Sequence, residues 1–99
     1  MNTEELLYNQ FTGQYVKLDN EHFIQQNSAI AFIELVLKNN VKILGIDGFD
    51  IYEDTIRPNL KILSDFSNDS TKQSIEKSKK FISENKSLVS HFSFVLDIE

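Results

Sequence analysis

The apolar residues change their period at Val41, and this change restricts the fold more than any other feature of the sequence. From Asn27 to Asn40, apolar side chains recur every three to four positions, and Asn27 and Ser28 are residue types that begin helices. From Val41 onward, the run VKILGIDGFDIY has the character of an extended strand. The sequence therefore predicts a mostly buried helix followed directly by a strand.

A second β-prone run, Thr55 to Leu63, predicts a β-hairpin with the first run. Two dipeptides are candidates for its turn. Asp47-Gly48 is the stronger short turn signal, whereas Glu53-Asp54 lies between the two longer β-prone runs. We place the turn at Glu53-Asp54, which makes the strand before it continuous through Gly48.

This hairpin carries two further predictions. A bulge near Gly48 is needed to keep Ile43, Phe49 and Ile51 on one face, and an isolated glycine inside a strand is typical of a bulge. Pro58 has no backbone N–H, so the returning strand should be an edge strand or be broken there.

The remaining segments predict elements on both sides of the hairpin. A polar loop over Ser64 to Asp69 leads to a surface helix capped by Asp69 or Ser70, and His91 to Glu99 alternates as a half-buried strand. Near the N-terminus a short helix and an extended piece are expected, over Glu4 to Phe11 and Gln14 to Leu18. Together these elements predict one α+β domain over residues 1–99, with a small antiparallel sheet of about three to four strands and helices packed on one face. The apolar positions expected to face the core from the last helix and strand are Ile75, Ser78, Phe81, Ile82, Phe92, Phe94, Leu96 and Ile98.

Charge and composition limit the partners. Fifteen acidic against ten basic residues give a net charge of -5, which disfavours nucleic acid and anionic membranes and favours a basic protein partner. The chain has no cysteine, so it has neither disulfides nor thiolate sites. Its N-terminus carries Glu4 and Glu5 where a secretory signal would be basic, and its longest apolar run is cut by Glu34. We expect a soluble cytoplasmic protein.

Tests for a chemical site find little in the sequence. Asp47, Asp50, Glu53 and Asp54 supply oxygen ligands, but their spacing does not match a calcium loop, because Gly48 follows the first aspartate immediately. The three glycines are scattered and precede no helix that would hold a phosphate. We expect no metal and no cofactor.

The acids themselves require an explanation. Six acids and two bases between Ile43 and Asp69 leave a net charge of -4 there. Two interpretations stay open: a solvated hairpin, or an electrostatic docking surface on which two aromatic rings supply apolar anchors. The candidate partner-binding residues are Asp47, Asp50, Tyr52, Glu53, Asp54, Asp65 and Phe66.

The role of Asp47 has two alternatives. Aspartate is unfavourable within a strand, so this residue either holds the bulge by accepting backbone N–H bonds or contacts the partner. We prefer the structural role, which predicts that Asp47→Ala lowers stability by about 1 kcal/mol.

The segment NSAIAFIELVLKNNVKILGIDGFDIY, Asn27 to Tyr52, resembles the bacterial immunity protein 40 family of polymorphic toxin systems. That family has a helix entered through a polar turn, a strand with an I-L-G-x-D core followed by an aromatic residue, a further strand, a helix and a final strand. The residues that match the core are Ile43, Leu44, Gly45 and Asp47.

The resemblance implies a stoichiometric inhibitor that binds and neutralises the toxin domain of a cognate bacterial effector, a domain expected to be basic. It implies no catalysis. The alternative from a different class is a small acidic hydrolase or other enzyme that uses Asp47 or Asp50 with His91.

Overall fold

The computed structural model describes residues 2–98, which form three α-helices and one five-stranded antiparallel sheet in the order β1-β2-β5-β3-β4. The α+β class is therefore confirmed, and the prediction of three to four strands is one strand short. The elements are α1 (Thr3–Asn9), β1 (Tyr15–Leu18), β2 (Glu21–Gln25), a 3-10 turn (Gln26–Ser28), α2 (Ala29–Lys38), β3 (Lys42–Tyr52), β4 (Thr55–Asp65), α3 (Thr71–Asn85) and β5 (His91–Asp97).

The strand missing from the prediction is β2. It forms a tight hairpin with β1, in which Leu18 pairs with Glu21. The two turn residues, Asp19 and Asn20, have φ of 50° and 64°. Aspartate and asparagine tolerate this left-handed region better than other non-glycine residues, so the dipeptide can close a hairpin without glycine.

The ends of α2 and α3 lie close to their predicted positions, but Ser28 makes no side-chain cap bond to α2, whereas the cap predicted for α3 forms. The 3-10 turn leads into α2, which is followed by Asn40 at φ 57°. Ser70 caps α3 in a capping box: the amide of Gln73 donates to the Ser70 hydroxyl, and the Ser70 amide donates to the Gln73 side chain. These reciprocal bonds fix the start of α3 at Thr71. The loop before it is shorter than the predicted Ser64 to Asp69 loop, because β4 continues to Asp65.

All three helices contact one face of the sheet, here called the inner face. Tyr8 of α1 stacks on His22 of β2, with ring centroids 4.4 Å apart. Phe32 of α2 lies 5.1 Å from Phe94 of β5, and Phe81 of α3 meets Phe92 edge-on. The prediction of helices on one face is thus confirmed. Further buried members of this core are Leu7, Ile24, Ile33, Val36, Ile43, Ile46, Ile75 and Ile82.

The β3–β4 hairpin turns at the predicted place. Tyr52 pairs with Thr55, and Glu53 and Asp54 have φ of 48° and 65°. β4 lies at the edge of the sheet, as Pro58 predicts.

The irregularity predicted near Gly48 is present, but the extra residues belong to β4. Asp47 faces Leu63 and Gly48 faces Asn59, so the three residues 60–62 have no counterpart on β3. Gly48 is required there because a Cβ atom on it would lie 2.6 Å from Cγ2 of Ile62.

A second irregularity, against β5, leaves Leu44 as one extra residue on β3. Ile43 consequently pairs with Leu96 on the inner face, whereas Phe49 pairs with His91 on the opposite, outer face. The prediction that Ile43, Phe49 and Ile51 share one face is therefore wrong.

β5 is the central strand of the sheet. The alternating direction of its side chains is confirmed, with Phe92 and Phe94 buried on the inner face and Val95 49% exposed on the outer face, but Ser93 on the outer face is buried, so the strand is not half-buried along its whole length. The strand ends at Asp97, and the predicted end at Glu99 lies outside the described residues.

Candidate partner-binding surface

The end of the β3–β4 hairpin projects beyond the rest of the sheet. β3 pairs with β5 as far as Phe49, but its pairing with β4 continues from Asp50 to Tyr52. Residues 50–57, here called the hairpin tip, are therefore only two strands wide. Tyr52 is 75% exposed at this tip, and Glu53 and Asp54 are exposed beside it.

Ser90 fixes the base of the hairpin tip. Its amide donates to Oδ1 of Asp50 at 3.2 Å, and its hydroxyl accepts the amide of Ile51 at 2.9 Å. The same hydroxyl lies 2.7 Å from Nδ1 of His91. Asp50 thus has a structural bond, because it ties the start of the tip to the residue before β5.

Asp47 lies on the outer face, between Ser93 of β5 and Leu63 of β4. Burial raises the pKa of its carboxyl group, and no hydrogen bond within residues 2–98 reaches that group. The expected role of Asp47 as a cap for backbone N–H groups is therefore wrong. A partly buried carboxylate without a partner opposes folding when it is ionised.

A shallow depression of about 280 Å³ lies next to Asp47. Asp65 also lines it, and its Oδ1 accepts the amide of Ser67 at 2.8 Å. Hydrogen bonds from the side chain and from the amide of Ser67 lower the pKa of this carboxyl group. Gly45 forms part of the floor, where a Cβ atom would lie 2.8 Å from the carbonyl oxygen of Ser64. The remaining lining residues are Leu44, Ser64, Ser67 and Val95.

Phe66 does not belong to this surface. Its side chain is 7% exposed and packs in the core, and its amide donates to the carbonyl of Leu44 at 2.8 Å. Phe66 is the first apolar residue after β4, and the chain turns inward there. The prediction that Phe66 is an exposed aromatic anchor is therefore wrong. Of the two predicted anchors, Tyr52 is the exposed one.

The residues of the enzymatic alternative do not form a paired-carboxylate site. Asp47 and Asp50 are three positions apart on β3 and project from opposite faces. Burial lowers the pKa of His91, and the charge of Asp50 partly offsets this effect. Asp50 bonds to the amide of Ser90 and not to the imidazole. Among residues 2–98, no three His, Asp or Glu side chains cluster as metal ligands.

Comparison of the sequence with known proteins does not assign a function to this surface. No family model matches the chain. No curated protein matches it either. Within the described residues, none of the helices has the length and apolar character needed to cross a bilayer.

Proposed function

We propose that this protein is an immunity-type binding module that neutralises the basic toxin domain of a cognate bacterial effector by direct contact. The observation that carries the proposal is the hairpin tip, which presents an exposed tyrosine between acids on a two-stranded projection. The proposed class of partner, a bacterial toxin domain, comes from the resemblance between the segment Asn27 to Tyr52 and the immunity protein 40 family.

The charge of the hairpin supports a basic partner. From Asp47 to Asp65 the chain has five acids but only Arg57 and Lys61 as bases. Within residues 2–98, no basic side chain forms an ion pair with Glu53 or Asp54. Unpaired charges of one sign accelerate the encounter with an oppositely charged protein, and they do so without stabilising the fold.

Tyr52 supports a contact that lasts. A tyrosine ring that is largely exposed on a monomer offers a large apolar area with few rotatable bonds, and tyrosine is enriched among residues that dominate binding energy. The acids are thus expected to govern association, and Tyr52 is expected to govern dissociation.

The proposal predicts that a reading frame next to this gene encodes a toxin domain, and the test is the kinetics with which this protein binds that domain. Glu53→Lys with Asp54→Lys should slow association roughly tenfold at low salt and remove most of its salt dependence. Tyr52→Ala should instead speed dissociation. Asp50 and Asp65 are left unchanged, because both accept backbone hydrogen bonds.

The matched control is Glu76→Lys with Glu84→Lys on exposed positions of α3, which makes the same change of net charge away from the hairpin. Equal effects of the two double variants would show that only net charge matters. An association rate that is independent of salt and of both reversals would contradict the proposed docking surface.

A further inference from the structure

The outer face of the sheet is not covered by any helix in residues 2–98, since all three helices pack on the inner face. It nevertheless has an apolar centre. Phe23 is fully buried there and meets Phe49 edge-on, with ring centroids 4.9 Å apart. Around this pair lie partly or largely exposed aliphatic side chains, namely Val16, Leu18, Leu63 and Val95.

The charged residues of the outer face are nearly all acidic. By strand register the face holds four acids, which are Glu21, Asp47, Asp65 and Asp97. Lys42 pairs with Asp97 there, but its ammonium group donates to the carbonyl of Ser67 at 2.9 Å and is thereby drawn toward the loop after β4. The face is therefore an apolar surface with acidic residues both at its margins and, through Asp47, within it.

We infer that the outer face docks a basic amphipathic segment of the protein partner, with its apolar side on Val95 and Leu63 and a lysine or arginine beside Asp47. This inference rests on the proposed function, because it names the chemistry of the segment that the module would recognise. The outer face lies next to the hairpin tip on the same two strands, so one partner can contact both.

Asp47 is the residue that gives this face its chemical preference. It has no partner within residues 2–98, and burial alone raises its pKa. A cationic side chain placed in the depression between Asp47 and Asp65 would offset the cost of burying the Asp47 charge. An acidic segment, or a nucleic acid backbone, would increase that cost.

The groove between α2 and α3 is a weaker candidate for the same segment. Leu37 and Ile75 give it an apolar floor, but its charges are mixed, since Lys72 and Lys79 stand beside Glu76. Lys79 already forms an ion pair with Glu34. This groove therefore offers no net complementarity to a basic segment.

The experiment is an NMR titration of the full chain with two synthetic 18-residue peptides that share leucines at helical spacing and carry either lysine or glutamate on the polar side. The lysine peptide should shift the amides of Asp47, Leu63 and Val95, and the glutamate peptide should shift none of them. Asp47→Asn should weaken binding of the lysine peptide about fivefold, which is the upper end of the effect measured for ion pairs near a protein surface. Glu76→Gln on α3 is the matched control and should leave the affinity unchanged.

Three results would overturn the inference: equal binding of the glutamate peptide, shifts confined to α2 and α3, or no shifts at all. Shifts of the same outer-face amides on raising the protein concentration alone would assign the face to a second copy of this chain and would also overturn it. Suppose that the lysine peptide binds the outer face as expected while the Glu53 and Asp54 reversals leave toxin association unchanged. That pattern would contradict docking at the hairpin tip and would support docking at the outer face. If the reversals slow toxin association but the lysine peptide does not bind the outer face, only the inference about the outer face is contradicted.

Discussion

The two faces of the sheet differ in how far packing determines their residues. The inner face is filled by side chains with almost no exposure, such as Ile24, Ile46 and Phe92, and packing against the helices determines each of them. The outer face places Asp47 in the middle of a strand, where it is partly buried and has no partner within residues 2–98. Packing and stability therefore explain the residues of the inner face, whereas they do not explain an aspartate at position 47.

The largest expected effect comes from the inner face. Phe92→Ala should lower the free energy of unfolding by about 3–5 kcal/mol, because it removes a fully buried ring and leaves a cavity. Val95→Ala, three residues along on the outer face, should cost less than about 1 kcal/mol, since its side chain is half exposed. Urea unfolding of both variants checks this contrast, and similar losses would mean that the outer face is also packed.

Gly48→Ala should cost about 1–3 kcal/mol, because the added methyl group overlaps Cγ2 of Ile62 on the inner face. In an Ile62→Ala background Cγ2 is absent, so the same glycine substitution should cost less, although Cβ of residue 62 at 2.9 Å and Cγ1 of Val89 at 3.0 Å still crowd the added methyl group. A double-mutant cycle measures the difference. Strict additivity of the two changes would show that crowding against Cγ2 of Ile62 is not the reason for the glycine.

The histidines make stability depend on pH. Burial lowers the pKa of His22 beneath the stacked ring of Tyr8, although Glu4, 3.5 Å away, favours the charged form. Since the unfolded chain binds the proton more tightly, the stability contributed by neutral His22 is present above about pH 6.5 and is lost as the pH falls through the lower folded pKa. His91 acts in the same direction.

The change cannot exceed about 1.4 kcal/mol per histidine for each pH unit. Urea unfolding at pH 7.5 and pH 5.5 measures it, and His22→Gln should reduce the slope. A stability that rises on acidification through this interval in the parent chain but not in His22→Gln would reverse the assigned sign.

The smallest expected effect compares two neighbouring acids of β3. Asp47→Thr should raise stability by up to about 1 kcal/mol, because threonine suits a strand and the unpartnered carboxylate is removed. Asp50→Thr should lower stability by about 1 kcal/mol, since it removes the acceptor for the Ser90 amide. Thermal unfolding distinguishes the two signs, and a loss of stability in both variants would restore a structural role to Asp47.

Local signals were sufficient for part of this fold. The capping box of α3 and the alternating direction of the side chains of β5 depend on residues close in sequence. The turn at Glu53-Asp54 was predictable from the lengths of the two β-prone runs beside it, against the stronger turn signal of Asp47-Gly48. The β1–β2 hairpin was missed because Asp19-Asn20 lacks glycine and because His22 and Phe23 are buried on opposite faces, which hides the alternation of a half-buried strand.

The positions of the site residues depended on packing between distant segments. The three extra residues of β4 and the extra Leu44 of β3 decide which face each acid occupies, and neither irregularity has a local signal other than Gly48. The burial of Phe66 likewise depends on its approach to Leu44. The acidic character of the hairpin was predictable, but the separation of Asp47 from Asp50 was not.

β5 is central in the sheet but follows the other four strands along the chain, so the sheet can be completed only after those four strands have been synthesised. β1–β2 and β3–β4 each close by a two-residue turn, but these hairpins do not pair with each other and, within residues 2–98, are joined only through β5. Until that strand is made, β2 and β3 each present an open edge, the kind of surface that recruits other strands. The native topology is therefore complete only after β5 has been synthesised and has paired with both β2 and β3.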